Sequence, residues 1–131
     1  CNLSPNGAHK ILKKFESENI LYHKQIANVR PYKINFENWR TELILQLALM
    51  SNEEADDTIK RTADACVSAK GIFLIAHKSR VSELKKYNPK STILTSDNVS
   101  KNMGFLRKYI LSGEVTHGTQ TIIDLFRNAA K

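Results

Sequence analysis

Cysteine is scarce in this chain of 131 residues: there are two, Cys1 and Cys66. Two widely separated cysteines supply neither a disulfide framework nor a metal-ligand set, and a reducing cytoplasm is their simpler setting. Long apolar runs are absent as well. The longest, residues 43–50, is interrupted by Gln46 and falls far short of the roughly 18 residues a membrane span requires, so no membrane partner is expected. No signal peptide is visible. The chain does not begin with Met, and its first residues read as the inside of a motif, so further residues are expected upstream. Signatures of catalysis are also missing. There is no Walker loop, no dinucleotide fingerprint, no Cys/His metal spacing and no Asp-x-Asp pair for two-metal chemistry. No cofactor, no bound metal and no enzymatic activity are expected.

What is present is an ordinary globular composition, 41% hydrophobic and 25% charged, which argues against disorder. The net charge of +7 is unevenly spread. Residues 1–40 carry seven Lys/Arg against three Asp/Glu, residues 41–66 carry two against six, and residues 67–131 carry eleven against four. A basic first segment suits a phosphate-bearing partner. The basic last third serves equally well as a solvated surface.

Residues 3–35 carry the strongest pattern. Ser4 is a good helix N-cap and Pro5 fits the first helical position. Ala8, Ile11, Leu12 and Phe15 form one apolar stripe at helical spacing. At about 100° per residue the opposite face carries Asn6, His9, Lys10, Lys13, Lys14 and Ser17. Asn19 stands where a helix ends in a left-handed residue. Ile20 and Tyr22, then Tyr32 and Ile34, alternate with polar neighbours as the inward residues of half-buried strands do. Pro31 belongs at an unpaired position. The spacing predicts a helix followed by a hairpin with Lys24, Gln25 and Arg30 near its tip.

The run Leu3-Ser4, Ala8, Ile11-Leu12-Lys13-Lys14-Phe15-Glu16, Asn19-Ile20-Leu21 and Arg30-Pro31-Tyr32-Lys33-Ile34-Asn35 resembles the recognition helix and wing of bacterial and archaeal winged helix-turn-helix transcriptional regulators. It covers about a quarter of the chain. Asn19 replaces the usual Gly, and the two helices that precede a recognition helix are not in the sequence. The resemblance implies double-stranded DNA as partner, with the helix in the major groove and the wing along the backbone or minor groove. Ser4, Asn6 and Lys10 would then lie near base edges or flanking phosphates, with His9 on the same face. Lys13 and Lys14 would face phosphate, as would Lys24 and Arg30 on the wing beside Gln25. Phosphate contacts need cations, and base readout needs short polar side chains near the helix N-terminus.

Asn35 is positioned to cap a helix over residues 36–50, where Phe36, Trp39, Leu43, Leu47 and Met50 repeat at helical spacing and Ile44, Leu45 and Leu49 widen the apolar face. So apolar a helix is expected to be buried on more than one side, either as the contact of a homodimer or between the wing and the C-terminal part of the chain. Residues 51–131 read as a small α/β domain. Asn52 and the acidic Glu53, Glu54, Asp56 and Asp57 announce a helix running to Ser68 with Ala55, Ile59, Ala63, Cys66 and Val67 inward. Asp56 and Asp57 are adjacent and diverge on a helix, so they are a terminal charge bias rather than a metal pair. Strands are expected at residues 71–76, 91–95 and 114–117, and helices around Val81–Leu84–Tyr87, from Val99 to Ile110 ending at Gly113, and over residues 119–130. Alternating strands and helices predict a three-stranded parallel layer. The fold class expected is therefore α/β, or α+β overall: a partial winged helix (residues 1–35), a linking or dimerisation helix (36–50) and a small α/β domain (51–131) that serves dimerisation or effector sensing.

A fainter likeness runs through Ile93-Leu94-Thr95, Phe105-Leu106-Arg107 and Ile110 to Gly118, which is similar to the end of small archaeal nucleotidyltransferase-like domains. That family needs a Gly-Ser turn after its first strand and an Asp-x-Asp pair. Here the strand is followed by His77-Lys78-Ser79-Arg80, so the likeness implies a copy without catalysis. His77 and His117 each end a strand, where α/β layers often place functional groups. With no orienting third group and no nucleophile elbow, they read as loop residues. A protein-interaction module docking through the Trp39 helix is the remaining alternative.

Overall fold

The structure is a computed structural model and describes residues 4–24, 26–29 and 31–130. Among them are six α-helices and two β-sheets, a mixed α and β architecture. The chain divides into two compact units, Cys1–Leu45 and Gln46–Lys131, and the division falls inside a helix, Trp39–Leu49.

In the first unit, α1 (Pro5–Ser17) opens on Ser4, whose Oγ accepts the Gly7 amide at 3.1 Å, with Pro5 in the first turn. After it, Asn19 takes the left-handed conformation at φ 61°. Strands β1 (Leu21–His23) and β2 (Tyr32–Ile34) pair antiparallel, Leu21 opposite Ile34, Tyr22 opposite Lys33 and His23 opposite Tyr32. Beyond them Ile26 and Val29 exchange both backbone hydrogen bonds at 2.9 Å around Ala27 and Asn28. The phase of the hairpin differs from expectation. Tyr22 is exposed beside Lys33, while Leu21 and His23 are half-buried; Ile20, just before the strand, is buried.

Helix α2 (Trp39–Leu49) starts three residues later than Asn35 would have it. Asn38 is the residue that caps it: its Oδ1 accepts the Arg40 amide and its carbonyl the Thr41 amide, both at 3.0 Å. Asn35 instead holds the preceding turn through the Glu37 amide at 3.2 Å and receives the Thr41 hydroxyl on its carbonyl at 2.6 Å. Within the single chain this helix is not covered on more than one side. Trp39 is 73% exposed and Leu47 72%, with Leu43 and Met50 exposed too, and Thr41 is the buried residue of the helix. Apolar side chains surround α2, and one side of a helix can face only one layer of protein at a time.

The second unit runs α3 (Asp57–Thr62), β3 (Ala65–Ser68), β4 (Ile72–Ala76), α4 (Val81–Tyr87), β5 (Thr92–Thr95), α5 (Met103–Ser112), β6 (Glu114–His117) and α6 (Thr119–Ala129). Its sheet has the order β5-β4-β3-β6. The three-stranded parallel layer is thereby corrected. β4 and β5 are parallel, but β3 lies between β4 and β6 and runs antiparallel to both. The sequence 63–68 hides this strand because Ile59, Ala63, Cys66 and Val67 also match helical spacing. Ala63 instead turns extended (φ −107°, ψ 148°) and ends α3. Ala65, Cys66 and Val67 are all buried; a strand covered on both faces shows no alternation to reveal it.

Those two faces carry two apolar clusters. Ala65, Val67, Phe73, Ile75 and Val115 pack with Val99, Leu106 and Ile122 from the α5 and α6 side, joined by Leu49. Cys66, Leu74 and Ala76 pack with Ile59, Ala63 and Leu84 from the α3 and α4 side. Fully burying each Val, Leu, Ile or Phe side chain among them contributes about 1.5–3 kcal/mol, so the layer holds itself together from both sides. On the β6 edge, Met50 bridges Val115 and the Ala55 amide donates to Thr116 at 3.1 Å.

Candidate nucleic-acid interface

The polar face of α1 is laid out as the helical period requires. Ser4, Asn6, His9, Lys10, Lys13, Lys14 and Ser17 are all exposed. Among the described residues no carboxylate pairs with Lys10, Lys13 or Lys14. The Ser4 oxygen is engaged as the helix cap, which leaves its hydroxyl proton free to donate. On the hairpin, Lys24 is exposed and its amide donates to Pro31 at 3.2 Å. Gln25 and Arg30 lie outside the described residues. On the other side of α1 no residue is buried: Ala8, Leu12 and Phe15 are half-buried and Ile11 is 41% exposed.

What orients α1 is a set of side chains that sequence patterning does not single out. The last carbonyls of a helix lack intrahelical partners. Here Glu18 O accepts from Asn38 Nδ2 at 3.1 Å and from the Arg40 guanidinium at 2.8 Å, and Asn19 O accepts from Asn35 Nδ2 at 2.9 Å and Asn38 Nδ2 at 3.2 Å. The hairpin is tied to the helix by Glu16 and the His23 ring at 2.9 Å, and the His23 ring lies 4.1 Å from that of Tyr32. The one cue in the sequence is the spacing of Asn35, Asn38 and Arg40 at the start of an apolar helix.

The candidates of the second unit have local roles. Asp56 caps α3 through the Ile59 amide at 3.0 Å and receives the Tyr87 hydroxyl at 2.7 Å. These bonds, the Ile59 amide first and Tyr87 next, hold its carboxyl below the usual carboxylate range. The same pairing raises the Tyr87 phenol. His77 Nδ1 accepts the Ser79 amide at 3.3 Å, which makes the Ser79 hydroxyl, 2.9 Å away, the donor of their second bond. The pair caps a short 3-10 turn, Lys78–Arg80. His117 donates from Nε2 to Ala63 O at 3.0 Å, pinning the end of α3 to β6. Burial pushes the Cys66 thiol up, away from thiolate chemistry. Among the described residues no three His, Cys, Asp or Glu side chains are grouped to hold a metal ion, and no helix is long and apolar enough to cross a membrane.

Sequence patterning also passes over a cavity of about 430 Å³ in the second unit, between the β3–β4 turn and one face of α5. Its only sequence signal is Phe105, Lys108, Tyr109 and Ser112 at i, i+3, i+4 and i+7 on α5. Comparisons with protein families, with curated proteins and with solved structures return no match to the chain.

Proposed function

We propose that the first unit binds duplex DNA in the manner of a winged helix, with α1 in the major groove and the β1–β2 hairpin along the backbone, and that the protein is a transcriptional regulator. The observation that carries this is the α1 polar face: three lysines without carboxylate partners beside Asn6, His9 and the helix N-terminus, all exposed on one side. Lysines displace counterions from phosphate, and short polar groups near a helix start reach base edges. In the same reading the exposed Trp39, Leu43 and Leu47 of α2 form the contact of a homodimer, which matches a two-fold operator, and the sheet unit contributes dimerisation or effector sensing.

The test is duplex binding across a salt series with Lys10→Ala, Lys13→Ala and Lys24→Ala in parallel. Removing one phosphate-binding cation should lower the slope of log affinity against log salt by about 0.9 and weaken binding across all sequences. Asn6→Ala should instead relax sequence preference at one base position. Lysine variants that bind with the parent's affinity and slope, or a protein that ignores duplex DNA, would remove this reading.

A further inference from the structure

The cavity on α5 has a chemistry that the DNA reading does not use. Its wall is aromatic: the Phe105 and Tyr109 rings lie 5.1 Å apart on α5 and both lean on the buried Phe73, at 5.9 and 4.9 Å. Phe105 is 43% exposed, so part of this aromatic residue is presented to solvent although it leans on the buried Phe73. Opposite stands the β3–β4 turn, Ala69-Lys70-Gly71, closed by the Ala69 amide on Gly71 O at 2.9 Å. At Gly71 a Cβ would meet nothing within 4 Å, so this side of the cavity is open backbone.

The lining includes two lysines, Lys70 and Lys108, and no acidic residue. Among the described residues neither lysine has an ion-pair partner, and the Tyr109 hydroxyl has no hydrogen-bond partner. Ser112 completes the lining, its hydroxyl donating to Lys108 O at 2.9 Å. A volume near the lower end of the small-molecule range, an apolar wall and a few convergent polar groups are the properties of a ligand pocket.

We propose that this cavity binds a small phosphorylated aromatic compound, of the size of a nucleoside monophosphate, with its ring on Phe105 and Tyr109 and its phosphate between Lys70 and Lys108. The two positive charges favour a dianion over a carboxylate, since a single negative charge would leave one ammonium uncompensated. The ring faces favour an aromatic body because a π surface stacks on them regardless of its substituents. The site lies wholly in the second unit, so it stands whether or not the first unit binds DNA.

The test is titration of the full chain with adenosine 5′-monophosphate, phenyl phosphate, adenosine and inorganic phosphate, read from backbone amide resonances. The two aromatic phosphates should move the amides of residues 69–71 and 105–112 saturably, and the stronger of them tells a nucleotide from a simpler aryl phosphate. Lys108→Glu and Lys70→Glu, both at exposed positions, should each weaken binding roughly tenfold, and Phe105→Ala by a comparable factor. Adenosine and inorganic phosphate should bind far more weakly than the compounds that join both parts. Inorganic phosphate as effective as the aromatic phosphates would overturn the proposal. So would binding untouched by both lysine reversals, or the absence of saturable shifts at these amides at millimolar ligand.

Discussion

The side-chain amide of Asn38 donates to the main-chain oxygen of Glu18 at 3.1 Å, so the residue that opens α2 also closes α1. The same amide reaches Asn19 O at 3.2 Å while its oxygen caps α2 at the Arg40 amide. Asn38→Ala removes both services, and the first unit should lose about 2 kcal/mol in urea unfolding, the sum of a lost cap and exposed carbonyl acceptors. Asn38→Asp keeps the cap but sets a negative charge beside the negative end of α1. It should rescue little of the loss.

Gly118 begins α6 at φ 75°, and a Cβ there would lie 2.1 Å from Asp64 O. Both the conformation and the space forbid a side chain. Gly118→Ala should cost on the order of 3 kcal/mol or more in denaturant unfolding. Gly104→Ala is the control: a Cβ there meets nothing within 4 Å and the residue sits in a helix, so a gain of about 0.5–1 kcal/mol is expected.

Ala27 holds φ 51° at the hairpin tip while Asn28, the other central residue, stays at negative φ. A positive φ at such a position is where glycine is ordinarily favoured. Alanine in the left-handed region costs about 1–2 kcal/mol, partly offset by the stiffer unfolded chain. Ala27→Gly should therefore raise the stability of the first unit by roughly 0.5–1 kcal/mol, the reverse of glycine's usual effect. An unfolding midpoint that falls in this variant would refute the strain at Ala27.

The Asp56–Tyr87 bond gives α3 a window of pH. The Asp56 carboxyl titrates below its usual 3.8, so its contribution is present above that pH and is lost as the medium falls through the folded value. The Tyr87 phenol titrates above its usual 10.0, so its contribution is present below that pH and lost as the medium rises through the folded value. Unfolding midpoints across pH should show both limbs. In Tyr87→Phe the alkaline limb should shrink to the part carried by the buried Cys66 thiol and by Lys60, whose values are also raised, and the acid limb should persist, weakened, because the Ile59 amide is the larger cause of the Asp56 shift.

Local chemistry was legible from the residues. The Ser4 cap, the left-handed Asn19 and the polar face of α1 each depend on neighbours a few positions away. Strand β4 was legible too, as an apolar run after Gly71. The features that escaped depended on distant chain. β3 could not be told from the end of a helix, because its second face is covered only once α5 and α6 arrive. The exposure of Trp39 was hidden for the opposite reason, since hydrophobicity says that a side chain seeks cover but not whether the chain provides it. At the candidate sites the α1 face could be read residue by residue. The asparagine clamp and the α5 cavity required segments that meet only in the fold.

β3 also governs the order in which its sheet can assemble. One neighbour, β4, follows across only Ala69, Lys70 and Gly71, whereas the other, β6, does not begin until Glu114. Closing the short loop costs less chain entropy than closing the long one, so the β3–β4 hairpin is expected to form first and β6 to dock after it. Until it does, the backbone of Ala65 to Ser68 is an unprotected edge, open to any other chain that offers a strand. A nascent chain is therefore most prone to mispairing while residues 114–131 are still unmade.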